Sequence, residues 1–568
     1  MLESFAERLA GSATRRHWLF LGASLFTLLF VGYHFGTFDQ TIHIPFLKKY
    51  ADPTLYPGDP FFELRFQHYS YFWFLFLPFY RAGVLAPTLL AVHFLATYLT
   101  FWMLWELSIT IFRSPLAALL STLAFVVPHV GFAGFPILEF SLLNRTFVLP
   151  FLLLALVLFM RGRVVWAFAL LGVLYNLHVI SVQFVLSMFL LHSALSWREI
   201  GLKRLAAGAV LFLIGAAPVL AWKLGSAGTP VDFSARPEWF STVARGTLFN
   251  LFYLLPPYPH ILIMTFSGVS ALLMFAIGRN VRPRSPLDRQ VTHFVAAAVI
   301  ILLVQIATAQ WYPATIIIQS QIIRAGLFVL IFGYIYFGWY LAERYPNRAS
   351  EPFGYTAMTL AYIFFILPIA PLLVWVIQRI VNPARWRRLA IGLLLAGMLV
   401  ATGWVVAAFE VWGPGVHANG PQTDWEDAQV WARDHTPRDA LFITPPHIWW
   451  LYDSDWRVFS ERSTVATLSE LLEAAFAPEY IEYWQPRFEA VAPGALEHFR
   501  GNYFENREAT AEAFYSLETA ELQAVADEYG ADYLVTEKPH THDLPVVYEN
   551  SSYVVYAFSD EIANIQGE

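Results

Sequence analysis

The stretch His34-Phe-Gly-Thr-Phe-Asp39-Gln-Thr-Ile-His43, followed by Asp52-Pro-Thr-Leu-Tyr-Pro-Gly-Asp59-Pro-Phe-Phe62, decides how this chain is read. It comes directly after an apolar run, Trp18 to Tyr33, that itself follows Arg15 and Arg16. A carboxylate therefore sits just past the end of an expected membrane helix, at the head of a long loop rich in aromatic residues and proline. Ionisable groups at membrane depth are costly and call for a functional explanation. Asp39 is the first candidate. The run from 18 to 33 lacks a small-residue cleavage site and leads straight into the loop, so it reads as a retained helix rather than a signal peptide.

Composition agrees with a membrane setting. The 568 residues are 57% hydrophobic and only 14% charged, with a mean hydropathy of +0.50. Soluble domains carry about a quarter charged residues. Several apolar runs approach the roughly 20 residues that span a bilayer. The chain is expected to be a polytopic integral membrane protein. It contains no cysteine, which excludes disulfides and thiolate metal sites. Residues 411–568 hold 28 acidic and 8 basic side chains, a net of −20, against 15 and 28, a net of +13, in residues 1–410. Because those basic residues are scattered through short loops, no nucleic-acid surface is expected.

Basic loop residues mark the cytoplasmic side. Arg15-Arg16, Arg161 with Arg163, Arg198 with Lys203-Arg204, Arg279 to Arg289, Arg344 with Arg348, and Arg385 with Arg387-Arg388 form that set. They place the N-terminus inside and residues 36–83, 132–145 and 224–257 outside, with further outer turns near His178 and Trp311-Tyr-Pro313. Ten spans reach Arg344. The run Tyr355–Arg379 has basic flanks and carries Pro368 and Pro371. It reads as a short hairpin entering and leaving on the cytoplasmic side, covered by neighbouring protein. A single straight span is the alternative and would leave the tail inside. A last span, Leu389 to Val411, delivers the tail outside on the hairpin reading.

The expected architecture is an α-helical polytopic membrane domain, residues 1–411, of about 11 spans plus the hairpin, with 36–83 as a first outer loop bearing interfacial helices. Residues 412–568 form a soluble, acidic α/β domain. In that tail, helices are expected at 425–434, 468–476 and 519–529, with strands at 440–444, 532–537, 545–549 and 553–558, the last two meeting at Asn550-Ser-Ser552. The aromatic run Tyr69–Tyr80 reads as a helix at headgroup level.

No phosphate-cradling glycine loop, HExxH or GxSxG constellation is present. The candidates are polar residues at the expected outer ends of helices. Asp39 and His43 are four apart and share a face if the loop begins helically. Asp39 is then a general base for an acceptor hydroxyl, with His43 or Gln40 orienting it. The plainer reading is an N-cap carboxylate. Asp52 and Asp59 precede proline and read first as turn residues, with contact between Asp59 and substrate or a metal ion as the alternative. Glu139 and Arg145 form either a structural ion pair or a phosphate site, since the arginine fork suits phosphate. Arg324, which follows Gln319-Ser-Gln-Ile-Ile, carries the same two readings, phosphate ligand or interfacial anchor. His178 at its outer turn is a polar plug or a substrate contact. No cofactor motif is present; a divalent cation stays open.

Taken together, the early acidic loop, the many spans and the outer C-terminal domain resemble the GT-C superfamily of polytopic glycosyltransferases. The closest resemblance is to a group of bacterial membrane proteins. Their loops look like Phe38-Asp39-Gln40 and Asp52-Pro-Thr-Leu-Tyr-Pro-Gly-Asp59-Pro-Phe, and their tails look like Trp431-Ala-Arg-Asp-His-Thr-Pro-Arg-Asp-Ala-Leu-Phe-Ile-Thr-Pro-Pro446. The resemblance implies a bacterial inner or plasma membrane and a polyprenyl-phosphate sugar donor as partner, beside ordinary membrane lipids. It puts Asp39 at the catalytic acidic position and Arg145 and Arg324 where phosphate is held. Many members carry two adjacent acids, whereas Gln40 follows Asp39 here, which weakens a metal-dependent centre. The expected function is sugar transfer to an acceptor on the extracytoplasmic face. A lipid or small-molecule transporter or flippase, and a catalytically inactive GT-C-like scaffold, are the alternatives.

Overall fold

The structure is a computed structural model that describes residues 2–132, 136–226, 234–246, 259–282, 285–344, 351–418, 422–449, 451–501 and 503–559. Of the outer loop expected at 224–257, residues 227–233 and 247–257 lie outside the described residues. Among the described residues, seven helices are long and apolar enough to cross a membrane: Leu85–Phe112, Val179–Ile200, Leu202–Gly225, Leu262–Val281, Pro286–Trp311, Thr315–Arg344 and Ala384–Phe409. They mark an integral membrane protein. Shorter apolar helices, among them Asn144–Met160 and Val164–Tyr175, pack between them.

The first apolar helix, Ala13–Val31, starts on the Ser12 side chain, which accepts the Arg15 N–H, and stops at Gly32 with φ of +90°. A Cβ at Gly32 would lie 2.0 Å from the Gly413 carbonyl oxygen, so only glycine lets the exits of the first and last long helices pass. There β1 (Tyr33–His34) runs parallel to β2 (Val416–His417), and Trp412 Nε1 donates to Phe30 O at 2.6 Å. The loop that follows this helix and the tail therefore leave the bundle side by side.

The run 355–379 is not one straight helix. Pro352–Phe364 and Ile369–Ile380 lie antiparallel, with the position of a Cβ at Gly354 2.9 Å from the Gln378 side chain. At 1.5 Å per residue each is about 20 Å long, short of the roughly 30 Å hydrocarbon layer. The tip is covered by protein: Val130 N–H donates to Ile366 O at 3.2 Å. The aromatic run at 69–80 also departs from the expected single helix. It forms a 3-10 turn, Trp73–Phe76, and a short helix, Leu77–Arg81, with Phe72, Trp73 and Phe76 buried against Leu47 and Leu89.

In the tail, β3 (Leu441–Ile443), β4 (Ser463–Thr464), β5 (Tyr533–Glu537), β6 (Val546–Glu549) and β7 (Tyr553–Ala557) form a mixed sheet in the order β4-β3-β5-β7-β6. β3 is parallel to β4 and β5, while β7 is antiparallel to β5 and β6. The expected helices at 425–434 and 519–529 occur at Asp424–His435 and Thr519–Tyr529. Strand β4 and the helices Ile481–Val491 and Tyr503–Tyr515 were not anticipated.

The loop that follows the first apolar helix shares a core with this tail. Ile42, Phe46, Tyr56, Phe61 and Phe62 of the loop pack with Ile443, Leu468, Trp484 and Phe488. Burying side chains of this size contributes about 1.5–3 kcal/mol each. Through that seam runs Arg457, 2% exposed, facing Asp59 at 3.4 Å, Asp455 at 3.6 Å and Glu470 at 2.8 Å. Lys48 of the loop donates to Val458 O at 2.8 Å and to Glu461 at 2.7 Å. Replacing Arg457 by Gln leaves three buried carboxylates without their cation, a change that costs about 3–5 kcal/mol. Thermal unfolding and limited proteolysis of Arg457→Gln should show a destabilised tail released from the loop.

Candidate active site

Asp39 occupies the turn before helix Gln40–Ala51 and follows Phe38, whose φ of +53° is left-handed. Holding a bulky residue there costs of order 1–3 kcal/mol, so the surroundings must fix it. Gln40 does part of that work. Its Oε1 accepts the Gly36 N–H at 2.9 Å and its Nε2 donates to Leu142 O at 2.8 Å, fastening the loop to the segment before helix Asn144–Met160. The Asp39 side chain makes no cap bond to its own helix. It turns instead to Arg145.

Arg145 joins two carboxylates. Its Nε and Nη2 each donate at 2.7 Å to the two oxygens of Glu139, and its Nη1 donates to Asp39 Oδ2 at 2.5 Å. The Glu139–Arg145 ion pair is thus present, with Asp39 as a third member. Burial works to raise the Asp39 carboxyl, but the charge and hydrogen bond of Arg145 outweigh it and hold the group below its ordinary 3.8. Asp39 is a carboxylate at neutral pH and, while gripped, a weak base. The charge of Arg324 reaches Asp39, Glu139 and Arg145 from the 3-10 turn Ile322–Ala325.

His43 lies one turn on from Asp39, against Trp73 and His68, each with ring centroids at 5.2 Å. Burial, helped by the charge of His68, drives His43 down to about 3, so it is neutral. His68 behaves oppositely. Burial acts to lower it, but Glu473, whose Oε2 is 2.6 Å from His68 Nε2, raises it above the ordinary 6.5. His178 caps helix Val179–Ile200, its Nδ1 taking the Ser181 N–H at 3.3 Å, and it lies within reach of the charges of Arg145, Arg324 and Asp39.

Six of the residues singled out in the sequence, Asp39, His43, Glu139, Arg145, His178 and Arg324, thus come together from four separate stretches of chain. Gln40 stands behind them as a fastener. Asp59 lies apart, accepting the Phe61 N–H at 3.0 Å and facing Arg457 in the loop–tail seam. Sequence reasoning missed His68 and Glu473. Nothing local marks either one, since Glu473 is one of 28 acids in an acidic tail and meets the membrane domain only after folding. Among the described residues no three His, Asp or Glu side chains are grouped to hold a metal ion. A divalent cation between Asp39 and Glu139 would have to displace the Arg145 guanidinium.

Residues 423–491 match the model of a domain of unknown function, DUF6798. Among solved structures, the chain is similar to the oligosaccharyltransferase of Archaeoglobus fulgidus in its apo form, at 14% identity and a TM-score of 0.43, over 92% of this chain and 69% of that one. No curated protein matches.

The His68–Glu473 pair gives a pH signature. Because folding raises His68, its contribution is complete below the ordinary value of 6.5 and is lost as pH rises through the folded value. The wild type should lose stability between pH 6 and pH 8 relative to Glu473→Gln, whose unfolding temperature should vary less with pH over that interval.

Proposed function

We propose that the protein is a membrane glycosyltransferase that moves a sugar from a polyprenyl-phosphate donor to an acceptor hydroxyl on the extracytoplasmic face. The observation that carries this reading is the convergence of Asp39, Glu139, Arg145 and Arg324 where the first outer loop meets the helix ends. The two carboxylates and two guanidinium groups balance, so an arriving phosphate adds an unmatched negative charge that the arginines meet. Drawing Arg145 toward the phosphate loosens its bond to Asp39, which makes Asp39 a better base at the moment one is needed. Asp39 takes the acceptor proton, the acceptor oxygen bonds to the anomeric carbon, and the bond from that carbon to the phosphate oxygen breaks with inversion. Polyprenyl phosphate leaves with its charge at Arg324 and Arg145. On this reading residues 1–411 are the catalytic membrane domain, residues 412–568 the acceptor-side domain, and 352–380 a re-entrant hairpin.

Asp39→Asn should abolish transfer from a polyprenyl-phosphate sugar while the labelled donor still binds. Arg324→Gln should weaken donor binding and slow transfer, by about 100-fold where it removes one well-placed donor to the developing charge. Full activity in Asp39→Asn would refute the assignment.

A transporter or flippase is a second reading, and one feature favours it. Helix Pro115–Leu123 gives way to a 3-10 turn and then meets the tip of the 352–380 hairpin, and broken helices of this kind line transport sites. His129 ties this turn to helix Thr315–Arg344, its Nε2 2.5 Å from Ala124 O and its Nδ1 3.0 Å from Tyr334 OH. In sealed proteoliposomes this reading predicts movement of a polyprenyl-phosphate probe across the bilayer without sugar transfer.

A further inference from the structure

The tail carries a second polar constellation, away from Asp39 and on a different kind of scaffold. Strands β3 and β5 are parallel neighbours; the chain leaves β3 toward β4 on one side and leaves β5 toward β6 and β7 on the other. Such a switch point opens a crevice at the carboxyl ends of the strands, where α/β sheets take their ligands. His447 lies just after β3, Glu537 ends β5, and His540 follows it. Arg507 and Tyr515 come from helix Tyr503–Tyr515, and Asp453 from the loop between β3 and β4.

These side chains form one surface. Arg507 Nη2 and Asp453 Oδ2 are 3.3 Å apart and about a third exposed, at 33% and 37%, in a single contact that leaves the other Asp453 oxygen and most of the guanidinium available. Tyr515 OH donates to Glu537 Oε2 at 3.1 Å, and His540 stacks on the Tyr515 ring with centroids at 4.0 Å and planes 9° apart. His447 packs edge-on against the other side of this group, 5.5 Å from Tyr515. It is only 6% exposed, and its Nδ1 has no hydrogen-bond partner. A buried imidazole nitrogen without a partner costs about 1–3 kcal/mol and points to a group that is supplied from outside.

We propose that this surface binds a neutral sugar. It offers donors from Arg507 and acceptors from Asp453 and Glu537, which suits vicinal hydroxyls, because each hydroxyl both donates and accepts. The Tyr515–His540 stack offers an aromatic face to the apolar side of a sugar ring. Asp453, Glu537 and the nearby Glu410 outweigh Arg507, which disfavours phosphate and other anions. The proposal stands independently of the chemistry at Asp39.

The test uses the full-length protein in lipid nanodiscs, since sugar-headed detergents would compete. The probes are cellobiose, maltose and N,N′-diacetylchitobiose, followed by saturation-transfer NMR, with inorganic phosphate as the anion control. At least one disaccharide should receive saturation. Arg507→Gln and His447→Phe should each weaken its binding about tenfold, the loss of one hydrogen bond to a charged or buried group. Both variants should keep the wild-type unfolding temperature to within a few degrees. Asp39→Asn should bind the sugar as wild type does, which separates this proposal from the transferase reading. Saturation of none of the three sugars would overturn the proposal, as would equal binding by both tail variants or a preference for phosphate.

Discussion

The loop that follows the first apolar helix cannot bury a core of its own, and its packing against the tail follows from that. Its apolar side chains, Phe46, Tyr56, Phe61 and Phe62 among them, find cover only against tail residues such as Trp484 and Phe488. Through this seam passes Arg457, which neutralises carboxylates from the loop and from the tail at once. A single missing cation there would strand charge in an apolar setting, so the docking is specific as well as adhesive. With the loop fixed to the tail, helix Gln40–Ala51 has one orientation, and Asp39 at its head has one place to point.

That place is the fork of Arg145. One guanidinium serves Glu139 through two nitrogens and Asp39 through a third, and its charge holds the Asp39 carboxyl below its ordinary value. The neighbouring histidines divide by environment. His43, deep among aromatic rings, stays neutral, whereas Glu473 raises His68 above its ordinary value. The tail therefore does more than cover the site. Through Glu473 it shifts the titration of a histidine beside it, so docking of the tail and the proton affinity of His68 are linked. Much of this was legible beforehand, because charge is expensive in an apolar chain and Asp39, Glu139, Arg145 and Arg324 stand out wherever they fall. Asp59 stood out too, and for a different reason: it initiates a turn and completes the Arg457 cluster.

The tie between the two ends of the membrane domain has an equally local cause. Gly32 and Gly413 approach so closely that a side chain at Gly32 would collide with backbone. The short parallel pairing of β1 and β2 then brings the tail out beside the first loop. The antiparallel helices Pro352–Phe364 and Ile369–Ile380 precede helix Ala384–Phe409, whose exit leads into β2.

The sequence by itself determined the membrane character, the short proline-broken run, the acidic α/β tail and the main site candidates. Each of these rests on local composition or periodicity. Only the tertiary structure decided that Arg145 bridges Asp39 and Glu139, that Glu473 reaches His68, and that the loop and the tail share one core. It also decided that Trp73 and Phe76 are buried rather than laid along a surface. These are contacts between residues up to several hundred positions apart, and no local pattern records them. They arise because apolar loop surface and buried charge are each unfavourable alone, and one packing of loop against tail satisfies both.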